Sequence, residues 1–143
     1  MKAAAIVQAF IERINAHDVD GIVTAISSDH RFVDSLGAVF TGREALRQGW
    51  QAYFALVAEY RIAVREVVET LSAVLVVGDA AGRTEGIDWT VPAAWRAVVR
   101  KGQVTEWQVY ADNEPLRAAL QGRPPLRLGC LTAAWSCNAR PDG

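Results

Sequence analysis

AWRAVVRKGQVTEWQVYA, residues 94–111, holds two strand-like runs, Ala94–Arg100 and Val104–Ala111. Both are rich in Val and Trp, residues that suit a pleated surface. Arg100-Lys101-Gly102 supplies the turn between them. So short a connection requires antiparallel pairing, because parallel strands need long crossovers. Similar runs lie upstream at Tyr60–Thr70, Ser72–Val77 and Arg83–Val91, with Gly78-Asp79-Ala80-Ala81-Gly82 read as a turn. Pro92 marks a bulge or bend. The second half of the chain is therefore expected to be an antiparallel meander.

The first half has a different period. Ile6, Phe10 and Ile14, widened by Val7 and Ile11, form the stripe of an amphipathic helix over Ala3–Ala16. Asp18 is placed to cap a second, short helix over Val19–Ile26, and Ser27-Ser28-Asp29 closes it. Arg31–Ser35 alternates as a strand. Thr41-Gly42-Arg43-Glu44 fits a capping box for a helix over Arg43–Ala58, with Leu46, Trp50, Tyr53, Phe54 and Val57 as its stripe. Asp112-Asn113 is read as the cap of a last helix over Glu114–Gln121. Helices first and a meander after predict an α+β domain, a curved antiparallel sheet with helices on one face. One domain over 1–122 is expected, with a tail over 123–143.

Composition bounds the function. Hydrophobic residues make up 51% of the 143, enough for a core, so disorder is excluded. Lys plus Arg is 15 against 16 acidic residues, and a net charge of −1 gives no basic excess for nucleic acid. No apolar run approaches the roughly 20 residues that span a bilayer. Met1–Phe10 carries one Lys, and Gln8 and Glu12 break any signal-like core. Cys130 and Cys137 are too few for a disulfide framework and have no His pair beside them. A cytoplasmic protein without metal or cofactor, and with no nucleic-acid or membrane partner, is the expectation. Five Trp in a chain of this size are a surplus to be placed.

Three stretches carry a family resemblance. Asn15-Ala16-His17-Asp18-Val19-Asp20-Gly21-Ile22-Val23, followed by Phe32-Val33-Asp34, resembles the N-terminal half of ketosteroid isomerases. Thr41-Gly42-Arg43-Glu44-Ala45-Leu46 resembles a helix start of the nuclear transport factor 2-like superfamily. Gly102–Asp112 resembles the final strand of limonene epoxide hydrolases and small polyketide cyclases. The resemblance runs from about Ala3 to Gln121. It implies a cone-shaped α+β barrel whose sheet wraps the N-terminal helices around a pocket. It is weak for activity, since this fold carries many reactions.

The resemblance also places site residues. The isomerases' general base falls on Asp34, while their two oxyanion donors fall on Phe10 and near Trp95. The epoxide hydrolases' water-holding Tyr and Asn fall on Phe32 and Asp34. Their Arg and first Asp fall on Gly86 and Asp88, and their second Asp on Val109. Both sets are incomplete here. Alternation puts Phe32 with Asp34, and Gly86 with Asp88 and Thr90, and the resemblance turns both faces to the pocket. Asp34 and Asp88 are thus the candidate catalytic pair. Phe32, Trp50, Tyr53, Phe54, Thr90, Trp95, Trp107 and Val109 are the candidate substrate wall. Each has a plainer reading: Asp34 capping its loop, Asp88 paired with an Arg in solvent, the aromatics as ordinary core. Trp89 alternates outward to a subunit interface, Tyr110 faces the helix-free side, and Trp135 lies in the tail. His17 is read as a helix-end residue and His30 as exposed.

Three functions remain open. One is a cofactor-independent isomerase, cyclase or hydrolase that moves protons on an apolar oxygenated molecule. The second is a protein that binds such a molecule without chemistry. The third is an interaction module whose sheet face dimerises and whose pocket is vestigial. The resemblance further implies a homodimer through the outer sheet face.

Overall fold

The apolar stripes identified above bury themselves as expected. In the structure, a computed structural model describing residues 2–112 and 114, Val7, Phe10, Ile11 and Ile14 of helix α1 (Ala3–Asn15) face inward. Helix α2 (Val19–Ala25) begins at Asp18, whose carboxylate accepts from the Gly21 amide at 2.9 Å. Helix α3 (Arg43–Leu56) buries Leu46, Gly49, Trp50 and Tyr53 at helical spacing. Its N-cap is Gly42, at φ 90°, and no side chain caps it. The capping box expected from Thr41 does not form, because Thr41 is drawn into a short strand. The proposed helix over Glu114–Gln121, the boundary at 122 and the tail with its two Cys and Trp135 lie outside the described residues.

Six strands make one curved, unclosed sheet: β1 (Ile26–Val33), β2 (Val39–Thr41), β3 (Ala58–Glu69), β4 (Val74–Thr84), β5 (Ile87–Arg100) and β6 (Gln103–Ala111). Their order is β2-β1-β6-β5-β4-β3. The meander β3 to β6 is antiparallel as predicted. β1 departs from the expectation: it runs parallel to β6, with Phe32 beside Trp107. The long crossover that parallel pairing requires is everything between β1 and β6. β1 also starts at Ile26, inside the segment read as helix and closing turn. The three helices pack on one face of the sheet, and the core fills the space between. No helix among the described residues is long and apolar enough to cross a membrane.

One register decides which side chains enter that core. β4 and β5 pair from Val74↔Ala97 to Thr84↔Ile87 without a shift. The turn is therefore at Glu85-Gly86, and neither a turn at Gly78–Gly82 nor a bulge at Pro92 exists. The two glycines serve close approach. A Cβ on Gly78 would lie 1.9 Å from the Ala63 carbonyl oxygen, next to the bulge between Val64 and Glu66. A Cβ on Gly82 would lie 2.4 Å from Val57 Cγ1 and 3.2 Å from the Trp89 ring. An uninterrupted strand keeps its parity along its whole length. Trp89, Val91, Ala93, Trp95 and Ala97 all face the helices, and Asp88 and Thr90 face away.

Candidate functional site

Aromatic side chains from the core face of the sheet and from α1 and α3 meet in two lines. Trp95 and Trp107 stack with centroids 6.4 Å apart, and Phe10 of α1 meets Trp107 edge-on at 5.1 Å. Phe32 meets Trp50 edge-on at 5.9 Å, Trp50 meets Tyr53 at 6.2 Å, and Tyr53 meets Tyr60 at 4.8 Å. Trp89 joins this second line through Tyr60. Phe54 lies over His17, ring on ring at 4.1 Å. His17 in turn donates from Nε2 to the Tyr60 carbonyl at 2.8 Å, tying the α1–α2 corner to the start of β3. Burial pushes the Tyr53 and Tyr60 phenols well above their usual range, so both keep their protons and remain donors.

Asp34 follows β1 directly and is 2% exposed. Its Oδ1 accepts from the Leu36 and Ala38 amides, both at 2.9 Å, which shapes the loop to β2 and fixes the carboxyl orientation. The sheet register stops one residue short of it: Val33, the last residue of β1, pairs with Gln108. Val109 pairs with Trp95, and Trp95 with Val76, so these three form one row across the inner face.

Among the described residues Ser27 Oγ, His30 Nε2, Ser35 Oγ and Trp95 Nε1 are buried without a hydrogen-bond partner. Trp95 is 1% exposed, and its indole Nε1 has no hydrogen-bond partner. Ser35 Oγ, next along the chain from Asp34, is also buried without a partner. By contrast Trp89, equally buried, donates from Nε1 to Thr84 Oγ1 at 2.9 Å. Among the described residues no group of His, Cys, Asp and Glu side chains could hold a metal ion.

A family model for the SnoaL-like domain matches residues 7–107. The chain belongs to this family. No curated protein matches it. Solved structures do, at low identity and with closely similar folds. A putative SnoaL-like polyketide cyclase from Shewanella denitrificans is 18% identical, with a TM-score of 0.76 over 83% of this chain and 96% of its own. A Catenulispora acidiphila protein of ketosteroid isomerase-like fold, in complex with trimethylamine, is 21% identical, with a TM-score of 0.75 over 82% and 93%. An LEH-like epoxide hydrolase of M. tuberculosis is 18% identical, with a TM-score of 0.73 over 84% and 90%. These likenesses show the α+β fold that the residues had implied.

Against this SnoaL-like framework the expected site divides. Asp34, Phe32, Trp50, Tyr53, Trp95 and Trp107 are buried, and Phe54 and Val109 pack against them. Asp88 and Thr90 do not join them. The Asp88 side chain is 74% exposed and receives two hydrogen bonds from Arg83, at 2.8 and 3.2 Å. That guanidinium holds the Asp88 carboxyl below its usual range. Asp88 and Thr90 line a separate surface hollow of about 330 Å³ with Glu59, Arg61 and Arg83. The physical reason is the unbroken β4–β5 register: with Trp95 inward, Asp88 must point out. The same parity moves Trp89 from the expected subunit interface into the wall. Tyr110 is half exposed on the outer face, where alternation had put it. Sequence reasoning missed Tyr60, although its spacing from Ile62 on β3 marks both as inward. It also took His30 as exposed, whereas it is 1% exposed and donates from Nδ1 to the Val104 carbonyl.

Proposed function

We propose that this SnoaL-like protein is a cofactor-independent enzyme of the cytoplasm. Its substrate is a small, apolar, oxygenated molecule held between helices and sheet, in reactions of the polyketide cyclase, isomerase or epoxide hydrolase kind. Asp34 is the proton acceptor. The observation that carries this reading is a buried carboxylate fixed by two amides at the end of β1, two residues on from the buried Phe32. A base held in a single orientation loses little entropy on reaching its transition state. Such a group contributes about 10²- to 10⁴-fold in rate. Asp88 takes no part, so any acid must come from the substrate, from water or from a protonated Asp34 returning its proton. The apolar wall would select an apolar substrate and exclude bulk water.

The second reading, binding without chemistry, is favoured by the same Asp34 amide bonds, since loop capping alone accounts for a buried Asp. Asp34→Asn separates the two. The Asn oxygen can accept from both amides, so the loop stays intact while the base is lost. Against a panel of small cyclic epoxides and β-ketoesters, the expected result is a fall in turnover of about 10²-fold or more. Thermal stability should move by less than about 1 kcal/mol. Asp88→Asn, on the outer face, should turn over like the parent. Full activity in Asp34→Asn, or equal losses in both variants, rejects the assignment.

A homodimer through the outer face of β3 to β6 belongs to this proposal. Val68, Leu75 and Tyr110 stand exposed there.

A further inference from the structure

Ala81 is the floor of the hollow on the outer face. It pairs with Arg61 of β3 and with Thr90 of β5, so the three form one outward row with the smallest side chain in the middle. Two residues on along β4, Arg83 stands on the same face and pairs with Asp88. Glu59 completes the rim. The space is about 330 Å³, at the small end of the roughly 300–1,000 Å³ of ligand sites. It lies about 20 Å along β4 from the exposed Leu75.

Arg61 owes its direction to a bulge. Ala58 pairs with Arg83 and Arg61 with Ala81, so three residue steps on β3 face two on β4. Without the extra residue Tyr60 would face Ala81 and Arg61 would turn into the core, since one added residue reverses a strand's parity. Glu59, inside this bulge, has φ 55°. That left-handed backbone is disfavoured for a residue with a Cβ. His17, Glu85 and Lys101 share it, but each closes a helix corner or a two-residue turn. Glu59 stands inside a strand.

The second observation is charge. Arg13, Arg31, Arg47, Arg65, Arg83 and Arg96 each have an acidic partner. Arg43 donates twice to the Ile26 carbonyl. The Arg61 guanidinium makes neither a hydrogen bond nor an ion pair among the described residues, although Glu59 and Asp88 rim the same hollow. Asp88 is taken by Nε and Nη2 of Arg83. The Thr90 hydroxyl makes no hydrogen bond among the described residues either. An unengaged guanidinium fork and an unengaged hydroxyl thus flank Ala81, their backbones about 10 Å apart across two strand spacings.

We propose that this hollow binds a small organic monocarboxylate, gripped by Arg61 and Thr90 over Ala81. The Arg61 fork matches the two carboxylate oxygens, giving each an N–H. The Thr90 hydroxyl donates to one of them from the other side. One negative charge offsets Arg61, and Arg83 stays with Asp88. A phosphate dianion brings a second charge against Glu59 and Asp88, with no further unpaired cation on the rim to meet it. An uncharged molecule leaves Arg61 unmatched. The site is on the other side of the sheet from Asp34, and its occupancy does not depend on the role of Asp34.

Benzoate and benzamide test this, since they have nearly the same shape and differ in charge. The full chain is titrated at low ionic strength, where exposed charges are least screened. With benzoate the Arg61 Nε–H proton resonance should move downfield, and benzamide should leave it in place. Arg61→Gln should weaken benzoate by about tenfold or more, the loss of hydrogen bonds to a charged group. Arg65→Gln removes the same charge from the same strand, but from a residue already paired with Asp79. It should stay within about twofold of the parent. Ala81→Leu keeps both gripping groups and fills the floor, and should also cost about tenfold or more. Inorganic phosphate should bind more weakly than benzoate. The proposal is overturned by equal losses in Arg61→Gln and Arg65→Gln, or by parent-like binding in Ala81→Leu. A stationary Arg61 resonance, phosphate tighter than benzoate, or no binding of benzoate overturns it as well. The resonance and the phosphate comparison need no variant, so misfolding of a variant does not shield it.

Discussion

At the scale of single residues, His30 is the proton-sensitive point of the core. Its ring donates from Nδ1 to the Val104 carbonyl at 2.7 Å, and Nε2 is buried without a partner. Burial holds its pKa below the usual 6.5, and the opposing pull of that carbonyl and of the Asp29 and Glu106 carboxylates is outweighed. The unfolded chain therefore binds this proton more readily than the folded one. Stability is full above about 6.5 and falls as the pH drops through the window beneath it, by at most about 1.4 kcal/mol per pH unit. His30→Asn, whose amide can still donate to Val104, should flatten that part of the curve when urea midpoints are compared between pH 7.5 and 5.5. A curve as steep as the parent's would assign the proton to another group. How much of the site was legible follows the same logic of place. Asp34 could be placed from the chain because a strand end and its loop are local. Asp88 could not, because its direction depends on a register held without a break as far as Trp95, seven residues on. His30 was out of reach for a third reason: its burial comes from β6, paired in parallel across most of the chain.

At the scale of elements, glycine misled the reading of the sheet. Gly78 and Gly82 sit in a polar, small-residue run that resembles a turn, yet neither has the positive φ of Gly86, where the chain does reverse. Their small size is needed by neighbours that local sequence does not name. The two positions should respond differently to a methyl group. At Gly82 the obstacles are side chains, Val57 Cγ1 and the Trp89 ring, which can give way, so Gly82→Ala should cost about 1–3 kcal/mol. At Gly78 the obstacle is the Ala63 carbonyl in the adjoining strand, held by the β3 bulge. Gly78→Ala should cost more than about 3 kcal/mol, because strand pairing itself has to shift. Chemical denaturation of the two variants, read together, measures the difference. Equal costs would mean that the β3 bulge can relax. The helices were easier to read, since a 3.6-residue stripe is a local signal and α1 and α3 bury the stripes that the spacing marked. The parallel β1–β6 pairing was not, because nothing within either strand records its partner.

At the scale of the whole molecule, one face of the sheet is covered by helices and the other offers apolar groups to solvent. Two adjacent rows cross the outer face. Val68, Leu75, Arg96 and Gln108 form one, and Glu66, Val77, Ala94 and Tyr110 the other. Val68, Leu75 and Tyr110 are 43%, 38% and 50% exposed. Arg96 and Arg31 are both engaged by Glu106, at 3.3 and 3.0 Å, so one positive charge of the three groups is left over, and Glu66 brings a negative charge to the second row. A second copy meeting this face buries the three apolar side chains at the centre and leaves these charges to the polar rim of the interface. Light scattering at micromolar concentration should then give twice the 15.6 kDa of one chain. Leu75→Glu puts a carboxylate at the centre of the first row. It should weaken association by at least about tenfold, since burying a Leu is worth roughly 1.5–3 kcal/mol. Its effect on the folded single chain should be small, because the site is partly exposed already. Salt distinguishes the cause. An association driven by apolar burial persists in molar salt, whereas one held by surface charges is screened away. A parent chain that scatters as a monomer, or a dimer that Leu75→Glu leaves intact, removes this face as the interface and leaves the apolar rows to some other contact.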